Sequence, residues 1–428
     1  MTDSTAVRTR GVSSRRFPDS IENRASWIAA LLAIAILTIS YGAPLIVVVA
    51  LKPIAAALDT DRSVVALAAA LVWVGTGAGG IVMGWVADRI GLRQTVIFGA
   101  LMTALGLAVS AVGRIWTLYL GHALLIGFLG GGALYPPLLI YISRWFDRRR
   151  GAALALISSG QYIAGVIWPS AFQHALAGLA WQGTMLAFAG ALMLIVPLAL
   201  LLKPAPQPGR ATRSAGFAYH GTAALRLRPN TVQALLCGAG FLCCVPMAMP
   251  SSHLVAFCSD LGIAPAQGAA MLSVLLGCAF ASRMFWGWAA DRVGGLATVF
   301  AGSACQALAV ALFSITRSEA GLFAVSAAYG LGFSGIIPAY VVAIRELFPS
   351  AQASWRVPTL LFTSMGGMAF GSWFAGALYD YFGFYAPAFV AGALFNLANL
   401  AVVGFLLMRQ QETGRGRTLE AAREAGLD

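Results

Sequence analysis

Few side chains in this sequence could do chemistry, and the one whose type and place demand an account is Arg283. It stands in MLSVLLGCAFASRMFWGW, residues 271–288, with no acidic residue within seven positions on either side. A guanidinium is a planar fork of N–H donors that keeps its charge, and it matches a carboxylate in shape as well as in sign. Helical rise puts Arg283 about 12 Å from Asp291, the next charge along the chain. A charge that deep in an apolar span costs at least about 2.5 kcal/mol, so it needs water, a partner or a bound anion. Snorkelling to a headgroup and a structural bond to helix-end carbonyls are the plain alternatives. No Asp or Glu falls inside any apolar span of the sequence, which points to an anion from outside the chain. Tyr41, Tyr135, Gln161, Tyr162, Ser282, Tyr329 and Ser364 lie at depths where each could line the same cavity or simply pack. Tyr119, Tyr381 and Tyr385 read as interface residues. His122 and His253 fit packing better than a proton relay.

The elements that hold these residues follow from composition. Of 428 residues 59% are apolar and 10% charged, too apolar for a soluble domain. Mean hydropathy is +0.79. The formal charge of +12 is spread between apolar runs, which excludes a nucleic-acid patch. Runs of about 20 apolar residues, each able to cross a hydrocarbon core, begin near Trp27, Ser63, Arg93, Trp116, Gly151, Trp181, Thr231, Gln267, Leu296, Leu322, Val357 and Tyr385. The expected fold is an all-α membrane protein, twelve transmembrane helices in two pseudo-symmetric six-helix bundles. Its parts would be a tail over 1–26, a bundle over 27–202, a central loop over 203–230, a second bundle over 231–408 and a tail over 409–428. The first span reads as helix 1 and not as a cleaved signal. Lys52, Arg62, Arg114 and Arg317 fall on one side of these spans, Arg283 within one, and the other 23 of the 28 Lys and Arg residues on the opposite side. Basic loops stay cytoplasmic, so both termini are expected there, in a cell inner membrane.

The halves repeat. Gly84-Trp85-Val86-Ala87-Asp88-Arg89-Ile90-Gly91 returns as Gly287-Trp288-Ala289-Ala290-Asp291-Arg292-Val293-Gly294, and YPPLLIYISRWFDRR has a looser echo in IIPAYVVAIRELFPS. Two parallel six-helix repeats with a site at their interface describe a carrier working by alternating access. In the loop itself, Gly84 and Gly91 would allow close helix approach and a tight turn. Asp88 and Arg89 would make and release ion pairs or helix caps as the molecule switches. Arg93, Gly287, Asp291 and Arg292 complete this gating set.

On these residues the chain resembles the major facilitator superfamily, whose G-x-x-x-D-R-x-G-R-[RK] loop follows helix 2 and recurs, weakened, after helix 8. Leu92 and Gln94 stand where two basic residues are usual, leaving Arg93. YISRWFDRRRGAALALISSG, SYGAP on helix 1 and SRMFWGWAADRVG on helix 8 resemble the monocarboxylate porter and oxalate–formate antiporter-like branch. In that branch an arginine at this place on helix 8 engages the substrate carboxylate, a role the resemblance extends to Arg283.

The same branch often carries an acid one turn earlier, where this chain has Ala279. It also carries a helix 1 lysine, here Leu45, and in dicarboxylate exchangers a helix 11 cation near Ser364 or Met365. A single fixed charge suits a monoanion, and proton coupling through a carboxylate is not expected. The expected partners are a small organic anion, the bilayer and a proton or counter-anion, with the chain a monomer that needs no cofactor. A drug or other small-molecule exporter is the alternative, though its pocket usually wants an embedded acid. Nothing in the sequence suggests an enzyme: it has no nucleophile–base pair, metal-ligand cluster or Walker-type loop. The basic run Arg144, Arg148, Arg149 and Arg150 reads as a cytoplasmic anchor.

Overall fold

The computed structural model describes residues 22–146, 150–204, 225 and 227–424. Arg148 and Arg149, most of the leader, most of the central loop and the last residues of the tail lie outside them. Among the described residues ten stretches are helical, long and apolar enough to cross a bilayer. One of them, Ala153–Leu200, has 48 residues. Straight, it would span about 72 Å, more than twice a hydrocarbon core. It breaks at Ala180, whose φ of 53° and ψ of −178° are not helical. The rings of Trp168 and Phe188 then meet at 4.7 Å and those of Phe172 and Phe188 at 4.9 Å, so the chain doubles back. Ala153–Leu200 therefore supplies two crossings, and Ser350–Phe382, of 33 residues, brings the total to twelve.

The twelve are α1 (Arg24–Val49), α2 (Arg62–Ile90), α3 (Leu92–Ser110), α4 (Ile115–Ser143), α5 (153–179), α6 (181–200), α7 (Pro229–Asp260), α8 (Pro265–Val293), α9 (Gly295–Ile315), α10 (Glu319–Leu347), α11 (Ser350–Phe382) and α12 (Ala386–Glu412). Starts agree closely with the apolar runs except in α11, expected from Val357. Its first turns carry Gln352 and Arg356, polar residues that a hydropathy reading assigns to a loop.

Within the first bundle α2 and α4 approach so closely that a Cβ on Gly79 would stand 2.0 Å from the carbonyl oxygen of Phe128. Only glycine fits there. Part of α4, Leu120–Gly131, is wound as a π-helix, a departure from α geometry that no spacing in the sequence announced. The bundles meet along three seams, α2 with α11, α5 with α8, and α1 with α7.

At the face away from the chain ends, ion pairs tie these bundles. Asp260 of α7 accepts from Lys52 at 2.8 Å and from Arg62 Nη2 at 2.9 Å. Arg62 Nη1 donates to the Tyr385 hydroxyl at 3.2 Å, and its guanidinium lies 3.7 Å over the Tyr379 ring. His253 donates from Nε2 to the Ser372 carbonyl at 2.7 Å and faces the Tyr385 hydroxyl with Nδ1 at 3.1 Å. Tyr385 is 2% exposed, so it is a buried part of this tie and not the interface residue expected from sequence.

Proline shapes α7. Pro250 has no N–H to give the carbonyl of Pro246, which would be orphaned in a medium where water cannot replace it. The Tyr329 hydroxyl of α10 takes that place, 3.3 Å from Pro246 O and 3.0 Å from Met247 O. Tyr329 is fully buried and holds two helices together instead of lining a cavity. Tyr329→Phe is therefore expected to cost about 1 kcal/mol of stability and to leave transport unchanged. Thermal unfolding in detergent beside uptake into proteoliposomes checks this; lost transport at unchanged stability would return Tyr329 to the pathway.

Candidate functional site

Arg283 sits on α8 where it faces α5 across the seam between bundles. Its Nη2 donates to Ser158 Oγ at 2.7 Å and its Nη1 to the Tyr162 hydroxyl at 3.3 Å. The guanidinium carbon is 5.3 Å from the centre of the Tyr162 ring. Nε is buried with no hydrogen-bond partner. Among the described residues no carboxylate pairs with Arg283, whose partners are two neutral hydroxyls. Ser158 and Tyr162 are four residues apart, so one face of α5 presents both. Gln161 stands one residue off that face and makes no described hydrogen bond.

In the first bundle, Tyr41 and Tyr135 meet edge to face with ring centres 5.8 Å apart. Both lie within the electrostatic reach of Arg283 and of Tyr162. Both are half-buried, and neither hydroxyl has a described partner. Tyr41 occupies the junction between the two helical segments of α1, Arg24–Ser40 and Gly42–Val49. Behind the two rings a cavity of about 30 Å³ is lined by residues that include Val72, Thr76, Thr103 and Gly131.

The structure thus brings Arg283, Tyr162, Tyr41 and Tyr135 together, and it leaves three other sequence candidates elsewhere. Ser282 points away into α10, with Oγ 2.8 Å from Ser334 Oγ. Tyr329 serves the carbonyls of α7. Ser364 is buried in the seam between α7 and α11, its Oγ 2.8 Å from where a Cβ on Gly240 would stand. In their place stands Ser158, which the sequence reading passed over. Its signal was the four-residue spacing to Tyr162 within ISSGQY, which acquires meaning only once Arg283 is known to face α5.

The two histidines at depth differ: His122 keeps a buried Nε2 without a described partner, and His253 does not. Both ring nitrogens of His253 are engaged, as above. His122 lies in the π-helical part of α4, and its Nδ1 meets Leu118 O at 3.0 Å and Ser110 Oγ at 3.1 Å.

At the face that carries the chain ends, the repeated loops form similar turns. Gly91 has φ of 91° and Gly294 of 86°, so each needs a residue without a Cβ. A Cβ on Gly84 or Gly287 would meet nothing within 4 Å, so the close approach expected of Gly84 is not made in this structure. Asp88 pairs with Arg144 at 3.3 Å, both side chains well exposed. These two belong to the same bundle. Arg89 stacks on Trp85 at 3.7 Å and Arg292 on Trp288 at 4.3 Å, the same contact in each repeat, while Asp291 is exposed. Arg93 donates to the Leu202 carbonyl at 2.9 Å. A cavity of about 420 Å³ opens between Asp88, Arg93, Arg144 and Lys203.

Comparison with known proteins agrees with this architecture. The Major Facilitator Superfamily model matches residues 27–251 and 235–426. Monocarboxylate transporter 13 of Bos taurus is 28% identical over 74% of this chain and 74% of its own length. Monocarboxylate transporter 11 of Mus musculus is 28% identical over 87% of this chain and 85% of its own. Among solved structures, the nucleoside transporter NupG superposes with a TM-score of 0.70 at 15% identity, covering 90% of this chain and all of that one, a likeness of fold alone. With twelve crossings, a duplicated loop and a family match over nearly its full length, the chain belongs to the major facilitator superfamily and is a membrane transporter.

Proposed function

We propose that the chain moves a small organic monocarboxylate across the cell inner membrane by alternating access, with both termini cytoplasmic. The observation that carries this reading is Arg283, a permanent cation at the seam between bundles that has only neutral partners and one unused N–H. A carboxylate accepts two parallel N–H bonds from a guanidinium edge. The Nε–Nη2 edge is half free, because Nε has no partner and Nη2 is held by a serine hydroxyl. A carboxylate on that edge takes Nε and displaces Ser158, while the Tyr162 hydroxyl remains on Nη1. Tyr41 and Tyr135, within the electrostatic reach of Arg283, offer unpartnered hydroxyls to the same anion. One fixed charge favours a monoanion over a dianion. The relatives' names as monocarboxylate transporters support the same class, and the excess of Lys and Arg in the loops on the side of the chain ends supports the orientation.

In this scheme the Asp88–Arg144 pair belongs to the switching machinery and not to the site. Asp88→Asn is expected to slow transport far more than it changes equilibrium substrate affinity, because it acts on the balance between conformations. Initial uptake rates set beside binding titrations separate the two; lowered affinity at unchanged rate would remove Asp88 from gating.

For the site, Arg283→Lys keeps the charge and loses the fork, so carboxylate binding should weaken by about 2 kcal/mol, roughly thirtyfold. Arg283→Gln should abolish carboxylate uptake while the protein still inserts, since the helix becomes more apolar. The amide of a transported acid should fail on the unaltered protein. Uptake of a panel of short carboxylates into proteoliposomes measures all three, and carboxylate transport by Arg283→Gln at near the unaltered rate would leave a carrier of unassigned cargo.

A further inference from the structure

The first turn of α2 is capped by the wrong bundle. Its backbone N–H groups at Arg62 and Ser63 donate to the two carboxylate oxygens of Asp380, at 3.0 and 2.8 Å. Asp380 lies near the end of α11, in the second bundle. The approach is close because Gly376 packs against Ser63, where an added Cβ would stand 2.8 Å from the Ser63 Cα. Meanwhile the residue at the N-cap position of α2 is itself an aspartate. Asp61 has the extended backbone of a capping residue, φ −67° and ψ 155°, yet its side chain makes no capping bond and is exposed. The preceding turn runs through Asp59 at φ 47°, which leaves Asp61 at the helix mouth.

An N-terminal turn exposes donors that a carboxylate satisfies, and the helix dipole adds to the attraction. Two carboxylates are thus stationed at one helix end, one bonded and one idle, on bodies that must separate if this face is to open. We propose that they exchange. With this face closed, Asp380 caps α2 from across the seam; when the bundles part there, Asp380 leaves and Asp61 turns in to cap its own helix.

The exchange gives each conformation a capped α2. Opening then costs the ion pairs that Asp260 makes with Lys52 and Arg62, without the added cost of orphaned backbone donors. This device sits far from Arg283 and is independent of what is carried.

The test is a pair of opposed substitutions read by one observable. Spin labels at the exposed positions Ala57 and Tyr381, one on each bundle, in a variant without the six native cysteines, give the ratio of open to closed molecules in nanodiscs as two distance populations. Asp380→Ala removes the cap of the closed form and should raise the ratio about fivefold. Asp61→Ala removes the cap of the open form and should lower it by about the same factor, with Asp61→Asn restoring it because asparagine caps as well as aspartate. The double alanine variant should return near the starting ratio. An unchanged ratio in Asp61→Ala would overturn the exchange. So would equal effects of Asp61→Ala and Asp61→Asn, which would mean that charge and not capping is at work. Thermal unfolding of each variant shows that a shifted ratio belongs to folded protein, and the asparagine variant keeps the question open to refutation if an alanine variant folds poorly.

Discussion

Inside a hydrocarbon layer every polar group must find its partner within the protein, because water is not there to take its place. Most of this molecule's particular features follow from that constraint. It makes the backbone helical throughout its crossings, and it turns each exception into a place where another helix must help. Pro250 removes an N–H from α7, and a tyrosine of α10 answers for it. In the second bundle a buried chain runs from the Tyr340 hydroxyl to Asn399 Oδ1 at 2.6 Å, from Asn399 to Ser303 Oγ at 2.9 Å, and from Asn396 to the Ser303 carbonyl at 3.0 Å. Gln306 extends it to the Cys243 carbonyl at 3.2 Å. These groups satisfy one another and fasten α7, α9, α10 and α12 as one body. Polar residues that are fully engaged in this way are structure; those with a bond to spare are candidates for binding.

By that criterion Arg283 joins a few other buried groups with an unpartnered atom, Arg356 Nη1 and Ser364 Oγ among them, and what sets it apart is a charge whose partners lie across the seam between bundles. Serine and tyrosine hydroxyls can solvate a guanidinium but cannot neutralise it, so the charge remains a standing cost that an anion would lift. Its partners also belong to the opposite bundle, which makes the site part of the seam. An anion that displaces Ser158 from Nη2 alters a contact between the two moving bodies. On the proposed reading, occupancy and conformation would be coupled at the same atoms, with no relay needed between a binding site and a distant gate.

The sequence disclosed what repeats and what is out of place, and concealed which way things face. Apolar runs located the crossings to within a few residues except for α11, which starts seven residues before the expected Val357, and the duplicated loops announced two equivalent bundles. An arginine in an apolar span is conspicuous because its cost is independent of orientation. Orientation is what failed for Ser282, Tyr329 and Ser364. Helices that are apolar on every side carry little periodicity to say which face looks inward, so depth alone could not separate a residue at the cavity from one a quarter-turn away. Ser158 was missed for the converse reason, since a serine in a small-residue helix looks like packing until its neighbour is known. The tie at the face away from the chain ends was legible as isolated charges, but Lys52, Arg62, Asp260 and Asp380 come from four helices and no spacing along the chain joins them.

The two faces are held by different logic, and this bears on the loop after α2. A bond resists separation of two bodies only if it spans them. Asp260 with Lys52 and Arg62 spans the bundles, as does Arg283 with Ser158 and Tyr162. Asp88 with Arg144 does not, because both residues ride on the first bundle. In this conformation that pair fixes the loop after α2 against the end of α4 and contributes nothing to holding the bundles together at its own face. Its exposure and length make it a weak bond even locally. The tie across the bundles at the face away from the chain ends depends instead on charges that belong to no repeated motif.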